Sequence, residues 1–396
     1  MKTTFRKLLA LAIISSAFVG CSSDDDATPT PPSSTFVADA ANFKGDINDG
    51  EVTLDPAQVY KLTGKLIVNS GATLTIPAGT VIEGVGGTAS YIAVAQGGKI
   101  NINGTAAKPV KMTSGLSTKR AGDWGGLVIC GKAPINRVTG GASTAQAEVS
   151  DLTYGGTVSN DNSGSITFLV VEYAGAAYNS EKEFNAVSFF GVGSGTTVQN
   201  VEAYHGADDG FEFFGGSVNT SNLISIGNED DQFDWTEGWN GTNTNWYGKL
   251  AFGKGNRGIE ADNYEFGFAN TPIANPTITN ITLIGPGSTA DATVYAENDA
   301  FKLRRGTKAN ITNVVVSAWK TGFNVEHDET IAFANNGQLK ATNVLYGADV
   351  ASKAKGKDTA GASANVDAMY TESASATGAG AGLNQPTWAT GWSVGF

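Results

Sequence analysis

Two short acidic segments carry the residues best suited to chemistry. The first runs from Asp208 to Phe213 and the second from Asp230 to Trp235, at an offset of 22 residues. Clustered carboxylates suit Ca²⁺, which takes about six to eight oxygen ligands. The sequence therefore predicts a possible calcium site, with these metal ligands: Asp208, Asp209, Glu212, Asp230, Asp231 and Asp234.

The same acids support two other interpretations. Arg257 and Lys302 follow at comparable positions of the repeat, so the acids could form a charge-compensated, solvated face that binds nothing. Alternatively, two carboxylates with separated pKa values could act as general acid and base on a polysaccharide. Such an enzyme would draw its catalytic groups from Asp208, Asp209, Asp230, Asp231, His205 and Arg257. We favour a non-catalytic role and predict no catalytic residue with it.

Two tryptophans could contact a carbohydrate. Trp239 and Trp246 lie in an insertion, 239–247, that is rich in Asn and Gly. An indole ring offers a flat apolar surface on which a sugar ring could stack. The other possibility is that both rings pack inside the protein, as we expect for Trp235.

The acidic segments belong to a longer repeat, with looser copies at 186–189, 258–261, 300–303 and 322–325. In each copy two apolar residues flank a residue that is mostly polar, which is the alternation of a β-strand. The apolar positions should point inward. The middle column should point to water and comprises Ser188, Glu212, Asp234, Glu260, Lys302 and Asn324.

A second strand repeats with the first and begins with asparagine, at Asn200, Asn222, Asn280, Asn313 and Asn343. Identical Asn side chains can hydrogen-bond to each other along a stack. A fixed period in this range is typical of stacked supersecondary units. We predict an all-β fold, a right-handed parallel β-helix over residues 36–346 with coils of about 22 residues. Residues 347–396 should form a C-terminal cap and a loose tail.

Insertions indicate where a binding site would be walled. Residues 176–183 and 286–297 both fall between an Asn-type strand and a Phe-type strand, at the corner that carries the acidic segments. Insertions on one face of a solenoid often surround its binding site. We therefore expect a groove between these two insertions if the protein binds or cleaves a glycan, and a flat acidic face if its role is structural.

The N-terminus has the features of a targeting segment. Basic residues precede an apolar run that is too short to span a membrane, and Gly20-Cys21 closes it. Residues 1–20 resemble a bacterial lipoprotein signal peptide, which implies lipidation of Cys21. Residues 21–35 are acidic and then Pro-rich, and resemble the tethers that place lipoproteins on the outer face of the outer membrane.

Three further segments, 71–82, 104–110 and 122–129, resemble the opening coils of bacterial surface β-helix proteins. The resemblance is to the β-helix lipoproteins of Bacteroidota-type surfaces, and it implies a fold and a location but no activity. Many right-handed β-helices are polysaccharide hydrolases or lyases. This sequence departs from the hydrolases because no Gly-His-Gly turn follows the acid pair.

The functional prediction is a lipid-anchored cell-surface protein that binds a glycan or a surface partner without catalysis. Calcium is the one cofactor that the sequence suggests. One alternative is a polysaccharide hydrolase or lyase using the corner from Asp208 to Asp234. Another is a passive structural or adhesive protein. The net charge of −12 argues against nucleic acid as a partner.

Overall fold

The computed structural model describes residues 32–140, 143–180, 182–251 and 253–396. The predicted signal peptide 1–20, Cys21 and most of the predicted tether 21–35 lie outside these residues, so they stay predictions. Within the described ranges, no helix has the length and apolar character needed to cross a membrane.

The N-terminal part of the described chain is built from short strands. In chain order they are β1 (Phe43–Ile47), β2 (Glu51–Thr53), β3 (Val59–Val68), β4 (Thr73–Pro77), β5 (Val81–Gly84), β6 (Ile92–Val94), β7 (Lys99–Asn103), β8 (Val110–Ser114), β9 (Leu127–Cys130), β10 (Thr144–Gln146), β11 (Thr153–Gly155) and β12 (Gly164–Glu172). β10 and β11 form a separate antiparallel pair inside the excursion that leaves the coils after β9.

Regular coils follow. Their strands are β13 (Val187–Phe190), β14 (Thr197–Tyr204), β15 (Phe211–Phe214), β16 (Asn219–Ile226), β17 (Phe233–Thr236), β18 (Thr242–Lys249), β19 (Arg257–Ala261), β20 (Thr277–Ile284), β21 (Asp299–Leu303), β22 (Ala309–Ser317), β23 (Thr321–Glu326), β24 (Leu339–Tyr346), β25 (Ser352–Lys357), β26 (Ser363–Ala364) and β27 (Tyr370–Glu372). One α-helix, α1 (Asp328–Asn335), and two 3₁₀ turns, Asp367–Met369 and Thr387–Ala389, complete the described elements.

Consecutive coils pair in parallel and in register. β13, β15, β17, β19, β21, β23 and β25 stack as one sheet, in which Phe211 lies opposite Phe233 and Glu212 opposite Asp234. The longer strands β12, β14, β16, β18, β20, β22 and β24 stack in the same way. The prediction of a right-handed parallel β-helix is confirmed.

An asparagine in left-handed conformation bends each longer strand from β14 to β24 into two halves. φ is +56° at Asn200, +59° at Asn222 and +59° at Asn313, a region that Asn tolerates better than most residues. From Asn222 to Asn313, each side-chain amide donates to the asparagine of the preceding coil, at 2.9 Å from Asn222 to Asn200 and 2.8 Å from Asn313 to Asn280. Asn245 belongs to the same stack, although the sequence around it gives no clear copy of the repeat.

Aromatic stacks fill the interior, as the inward columns predict. The rings of Phe211 and Phe233 stack at 5.7 Å, and those of Phe189 and Phe213 at 5.1 Å. All four side chains are fully buried. Burying one such ring contributes about 1.5–3 kcal/mol to stability.

The C-terminal tail is not loose. Thr282 accepts a hydrogen bond from the backbone of Ala379, Tyr247 donates to the carbonyl of Leu383, and Trp392 is buried against the coils. The tail runs back along the outer side of the longer strands because their second halves carry apolar residues there. The prediction of a loose tail was wrong for this segment, whose Ala, Gly and Ser content hid its few anchoring aromatic residues.

Candidate functional site

The candidate site lies on the outward face of β15 and β17 and on the turns that precede them. Strand register places Glu212 opposite Asp234, so the preceding acids also stack in pairs. The backbone N–H of Asp231 donates to Asp209 Oδ1 at 2.9 Å, which fixes the two turns against each other. We call the six acids of these two coils the acidic region: Asp208, Asp209, Glu212, Asp230, Asp231 and Asp234.

The outward column is less exposed than expected. Its side chains point away from the core, but Ser188, Lys302 and Asn324 are buried, and Glu212 and Asp234 are half-buried. The expectation that this column faces open water was therefore wrong. The cause is that long connections fold over the sheet and leave a groove of about 230 Å³ above the acids.

Two connections form the walls of this acidic groove, and neither was predicted to do so. One is the excursion after β9, which contributes Arg137 and Glu148, and the other follows β19 and contributes Asp262, Tyr264 and Glu265. The predicted wall 286–297 does not line this groove, and its Glu297 pairs with Arg257 instead. The described part of the predicted wall 176–183 does not line the groove, since Tyr178 contacts Phe184 and only Glu183 acts on an acid of the region, Asp208.

The first wall is anchored by a buried carboxylate. Glu237 accepts hydrogen bonds from Arg137 Nε at 2.6 Å and from the Tyr154 hydroxyl at 2.7 Å. The two walls also contact each other, since Asn136 Nδ2 donates to Asn263 Oδ1 at 2.7 Å. Arg137 is therefore held at the groove while part of its guanidinium group remains exposed.

The acids are close enough to share a cation. Three groups each have carboxylate oxygens within 4.8 Å of one another, and they are Asp208, Asp209, Asp230; Asp209, Glu212, Asp234; and Asp231, Asp234, Glu260. Oxygens bound to one Ca²⁺ at roughly 2.3–2.6 Å lie at most about 5 Å apart. The spacing therefore fits a divalent cation.

A buried amide, that of Asn185, also supports a cation site. Asn185 stands two residues before Val187, as Asp209 stands two residues before Phe211, the partner of Val187 in the sheet. Its Nδ2 donates to Glu212 Oε2 at 2.7 Å, while its Oδ1 is buried without a hydrogen-bond partner among the described residues. A buried oxygen without a partner is costly, and a cation among these acids could be its missing partner.

The acidic region strongly disfavours its own negative charge. Burial and the neighbouring carboxylates Asp230 and Glu183 raise the pKa of Asp208 to about 8. Burial, followed by repulsion from adjacent acids, also raises the pKa of Asp209, Glu212 and Asp234 well above their usual ranges. Arg257 opposes this effect at Asp231, whose pKa is nevertheless raised by burial. In the absence of a cation, some of these groups must hold protons near neutral pH.

The coils that follow carry a different charge pattern. Arg257 contacts Asp231 and Glu260, both at 2.9 Å, and Glu297 at 3.1 Å. Lys302 contacts Glu297 at 3.0 Å and Glu326 at 2.8 Å. Burial would raise the pKa values of Glu297 and Glu326, but their hydrogen bonds and ion pairs with these bases lower both. We call these ion-paired coils, from Arg257 onward, the paired region. Bases compensate its acids, which is the interpretation that the sequence offered for the whole outward face.

The two tryptophans predicted to stack on a sugar lie in the core and not at the surface. Trp239 and Trp246 are fully buried, and their rings stack on Phe213 at 4.1 Å and on Phe233 at 4.5 Å. The prediction that they stack on a glycan was wrong, because the inward positions of the coil required aromatic packing partners.

The groove has one aromatic residue on its wall and a second aromatic residue beside that one. Tyr264 lines it and contacts Phe266, ring centroids 5.6 Å apart, and Phe266 is 77% exposed. Sequence reasoning missed them. The available signal was a pair of aromatic residues in a polar connection directly after a strand that carries Glu260.

His205 does not join the acids. Its ring stacks on Tyr173 at 6.3 Å, meets Tyr204 edge-on at 4.2 Å, and lines a separate cavity. Arg257, by contrast, does reach Asp231. The structure therefore brings together Asp208, Asp209, Asp230, Asp231 and Arg257 but leaves out His205. The resulting site can bind a cation, or can hold a carboxylic acid and a carboxylate side by side.

The fold has counterparts among known proteins. A family model described as "Pectate-lyase like beta helix domain" matches residues 45–393. No curated protein matches the chain. A similar solved structure is the enzymatically active domain of tailspike protein 2 from bacteriophage CBA120, at 10% identity and a TM-score of 0.24. The match covers 75% of this chain and 39% of the tailspike chain, so this chain spans well under half of that protein.

Proposed function

This chain belongs to the pectate-lyase-like β-helix family, and from that premise we propose that it binds a carbohydrate chain in the acidic groove, assisted by a divalent cation such as Ca²⁺. The observation that carries the proposal is the cluster of acids whose members Glu212 and Asp234 line the groove. Burial and mutual repulsion raise the pKa values of Asp209, Glu212 and Asp234, so the chain's own bases leave these charges largely uncompensated. A protein selected only for stability gains nothing from such a cluster, because stacked like charges repel.

The residues that would hold the cation are Asp209, Glu212 and Asp234, with the side-chain oxygen of Asn185 beside them. When bound, calcium would neutralise these acids and supply coordination positions for hydroxyl or carboxylate oxygens of a ligand. Asp209 also accepts the backbone N–H of Asp231, and this bond orients its carboxylate independently of any ion.

The groove walls would hold the sugar. Tyr264 and Phe266 present ring faces on which the apolar side of a pyranose can pack. Arg137 on the opposite wall keeps N–H groups free of Glu237 that can donate to sugar oxygens. Flat apolar contact beside directional polar groups is the usual composition of a ligand site.

The proposal is tested by glycan-array binding with EDTA and then with Ca²⁺. We expect calcium-dependent binding that Tyr264→Ala/Phe266→Ala weakens about tenfold or more, since losing two stacking rings costs roughly 1–3 kcal/mol each. Val37→Ala, at an exposed apolar residue, is the matched control and should change nothing. If no glycan binds in EDTA or in Ca²⁺, the proposal is rejected and the structural or adhesive role remains.

A polysaccharide hydrolase is the second candidate, and one observation favours it. Glu212 and Asp234 are neighbours in an open groove, and the pKa of each is raised by burial and by its neighbours. Only one of the two needs to be protonated to provide an acid and a base. A lyase has less support, because Arg257, Lys302 and Arg304, which would have to act as the base, are all held in ion pairs.

Catalysis is checked by incubating polysaccharides with the protein and measuring new reducing ends, together with ultraviolet absorbance for unsaturated products. Glu212→Gln and Asp234→Asn should each abolish product formation if the candidate is right. Glycan binding without either product would reject both catalytic options.

We also propose that the protein is lipid-anchored through Cys21 and faces the cell exterior on the outer membrane. The basis is the sequence alone, namely the apolar run that closes at Gly20-Cys21 and the acidic segment behind it. Metabolic labelling with a fatty acid should label the wild type and not Cys21→Ser. Equal labelling of the two would contradict this anchor.

A further inference from the structure

A second cavity, of about 320 Å³, lies at the corner where the longer strands end and the turns to the next coil begin. Its walls are mainly apolar and aromatic. They include Tyr204, Ile226, Leu250, Pro286 and Tyr295. A half-enclosed cavity of this size and lining is large enough for a small molecule and is the usual form of a ligand site. The cavity is separate from the acidic groove, and no residue lines both.

The cavity offers polar groups that the protein itself does not use. Neither ring nitrogen of His205 and no oxygen of the Tyr204 side chain has a hydrogen-bond partner among the described residues, although both side chains are only partly exposed. Tyr295, by contrast, is held in place, since its hydroxyl donates to the carbonyl of Ala251 at 2.9 Å. Burial lowers the pKa of His205, although Glu229 and Glu172 oppose the shift. The imidazole is therefore neutral at pH 7 and can donate or accept.

One side chain that lines the cavity is charged. Lys249 is the only charged residue among those that line it, and it forms no ion pair within the described ranges. The nearest contrast is the acidic groove, whose lining contains several carboxylates. In a chain of net charge −12, an apolar cavity with an unpaired ammonium at its rim favours a ligand that carries a negative charge.

The chain's own C-terminus closes one side of the cavity. Gly395 contributes to the wall, and its backbone N–H donates to Glu202 Oε1 at 2.9 Å. Ser393 and the N–H of Val394 donate to the same carboxylate, both at 2.8 Å. Three hydrogen bonds on one buried side chain hold this wall in a defined position, so the cavity is preformed.

We propose that this cavity binds a small, flat, largely apolar molecule that carries a single carboxylate. The rings of Tyr204, His205 and Tyr295 would pack against its plane or its edge, and Lys249 would pair with its charge. The inference does not rest on the carbohydrate proposal, since it uses a different cavity and different residues.

The probe for this proposal is 2-naphthoate, titrated into the full chain by calorimetry, with 2-naphthylmethylammonium as the oppositely charged control. We expect one saturable naphthoate site per chain and no comparable binding of the cation. Lys249→Met should weaken naphthoate binding about three- to fivefold, the effect of one exposed charge pair. Lys340→Met, at an exposed lysine on another face, should leave binding unchanged.

A blocking variant keeps the test decisive. Ala251→Trp places an indole at the partly exposed rim of the cavity and should abolish naphthoate binding while glycan binding is retained. Equal binding of the anionic and cationic probes, unchanged affinity in Ala251→Trp, or no naphthoate binding to the wild type would each overturn the proposal. If the wild type binds naphthoate but no glycan, the carbohydrate proposal fails and the present one stands.

Discussion

Two neighbouring regions of one sheet face carry acids at equivalent positions but differ in whether bases compensate the negative charge. The acidic region has six carboxylates on two coils, and within those coils, 208–236, there is no lysine or arginine. The paired region interleaves its acids with bases. Its members are Arg257, Glu260, Asp262, Glu297, Asp299, Lys302, Arg304, Arg305, Glu326 and Lys355.

We attribute the difference to role: the paired region serves stability, and the acidic region serves binding. Strands of a stacked sheet lie about 4.8 Å apart, so equivalent side chains are forced together and like charges repel. The paired region offsets the repulsion with its own bases. Their hydrogen bonds and ion pairs lower the pKa values of Glu297 and Glu326, whereas burial raises that of Glu260 despite Arg257 and Arg304. In the acidic region the pKa values of Asp208 and Glu212 are raised, so a proton or an external cation must provide the compensation there.

The largest effect is expected from the base at the border of the two regions. Arg257→Met leaves three acids without their shared partner while burying no new charge, and should destabilise the protein by about 3–5 kcal/mol. Urea unfolding followed by circular dichroism measures it. Arg305→Met is the matched control, because Arg305 is more exposed and should cost about 1 kcal/mol or less. A loss below about 1 kcal/mol for Arg257→Met would contradict the division into two regions.

Replacing an acid by its isosteric amide should change the free energy of unfolding in opposite directions in the two regions. In EDTA, Asp209→Asn removes a repelled charge and keeps the oxygen that accepts the Asp231 N–H, so we expect stabilisation of about 1–2 kcal/mol. Asp299→Asn removes the partner of Lys355 and should destabilise the protein by a similar amount. The same urea experiment compares them. Equal signs for the two variants would show that the regions do not differ in charge balance.

The two regions should also respond oppositely to pH. Acids with raised pKa values contribute stability below their unfolded pKa of about 4 and lose it as the pH rises through the folded value, about 8 for Asp208. Glu297 and Glu326 contribute stability at neutral pH and lose it as the pH falls below about 4.5. The melting temperature in EDTA should therefore fall between about pH 5 and 8, and Asp208→Asn should flatten the slope. A rise over that interval would refute the raised pKa values.

The smallest effect is expected at the far end of the paired region. Lys355 contacts Asp299 at 3.0 Å but is about half exposed, so solvent screens the pair. Lys355→Met should cost less than about 1 kcal/mol in the urea experiment. A larger loss would mean that the paired region depends on its periphery as much as on Arg257.

Much of the fold could be predicted from sequence because the signal is local and repeated. The offset between Phe211 and Phe233 fixes the coil length, and period-two alternation fixes which side chains point inward. The acids of the site followed from the same offset. These features depend only on neighbouring coils, which is why a short stretch of sequence was enough.

The walls of the site could not be predicted in this way. Asn136 contacts Asn263, a residue 127 positions away, through connections that have no repeat. That contact joins the two connections that contribute Arg137 and Tyr264 to the groove lined by Glu212. Trp239 shows the converse, since a polar surrounding sequence suggested exposure while the coil interior required its ring. Long-range packing of irregular segments is not encoded in local periodicity.

The central claim is that the acidic region binds a divalent cation, and thermal unfolding with EDTA followed by graded Ca²⁺ tests it most directly. An ion that binds only the folded state stabilises it by about 2.7 kcal/mol at a hundred times its Kd. We expect Ca²⁺ to raise the melting temperature of the wild type and of the paired-region control Glu326→Gln, but not of Asp209→Asn/Asp234→Asn. No shift in the wild type, or an equal shift in the double variant, would contradict the claim.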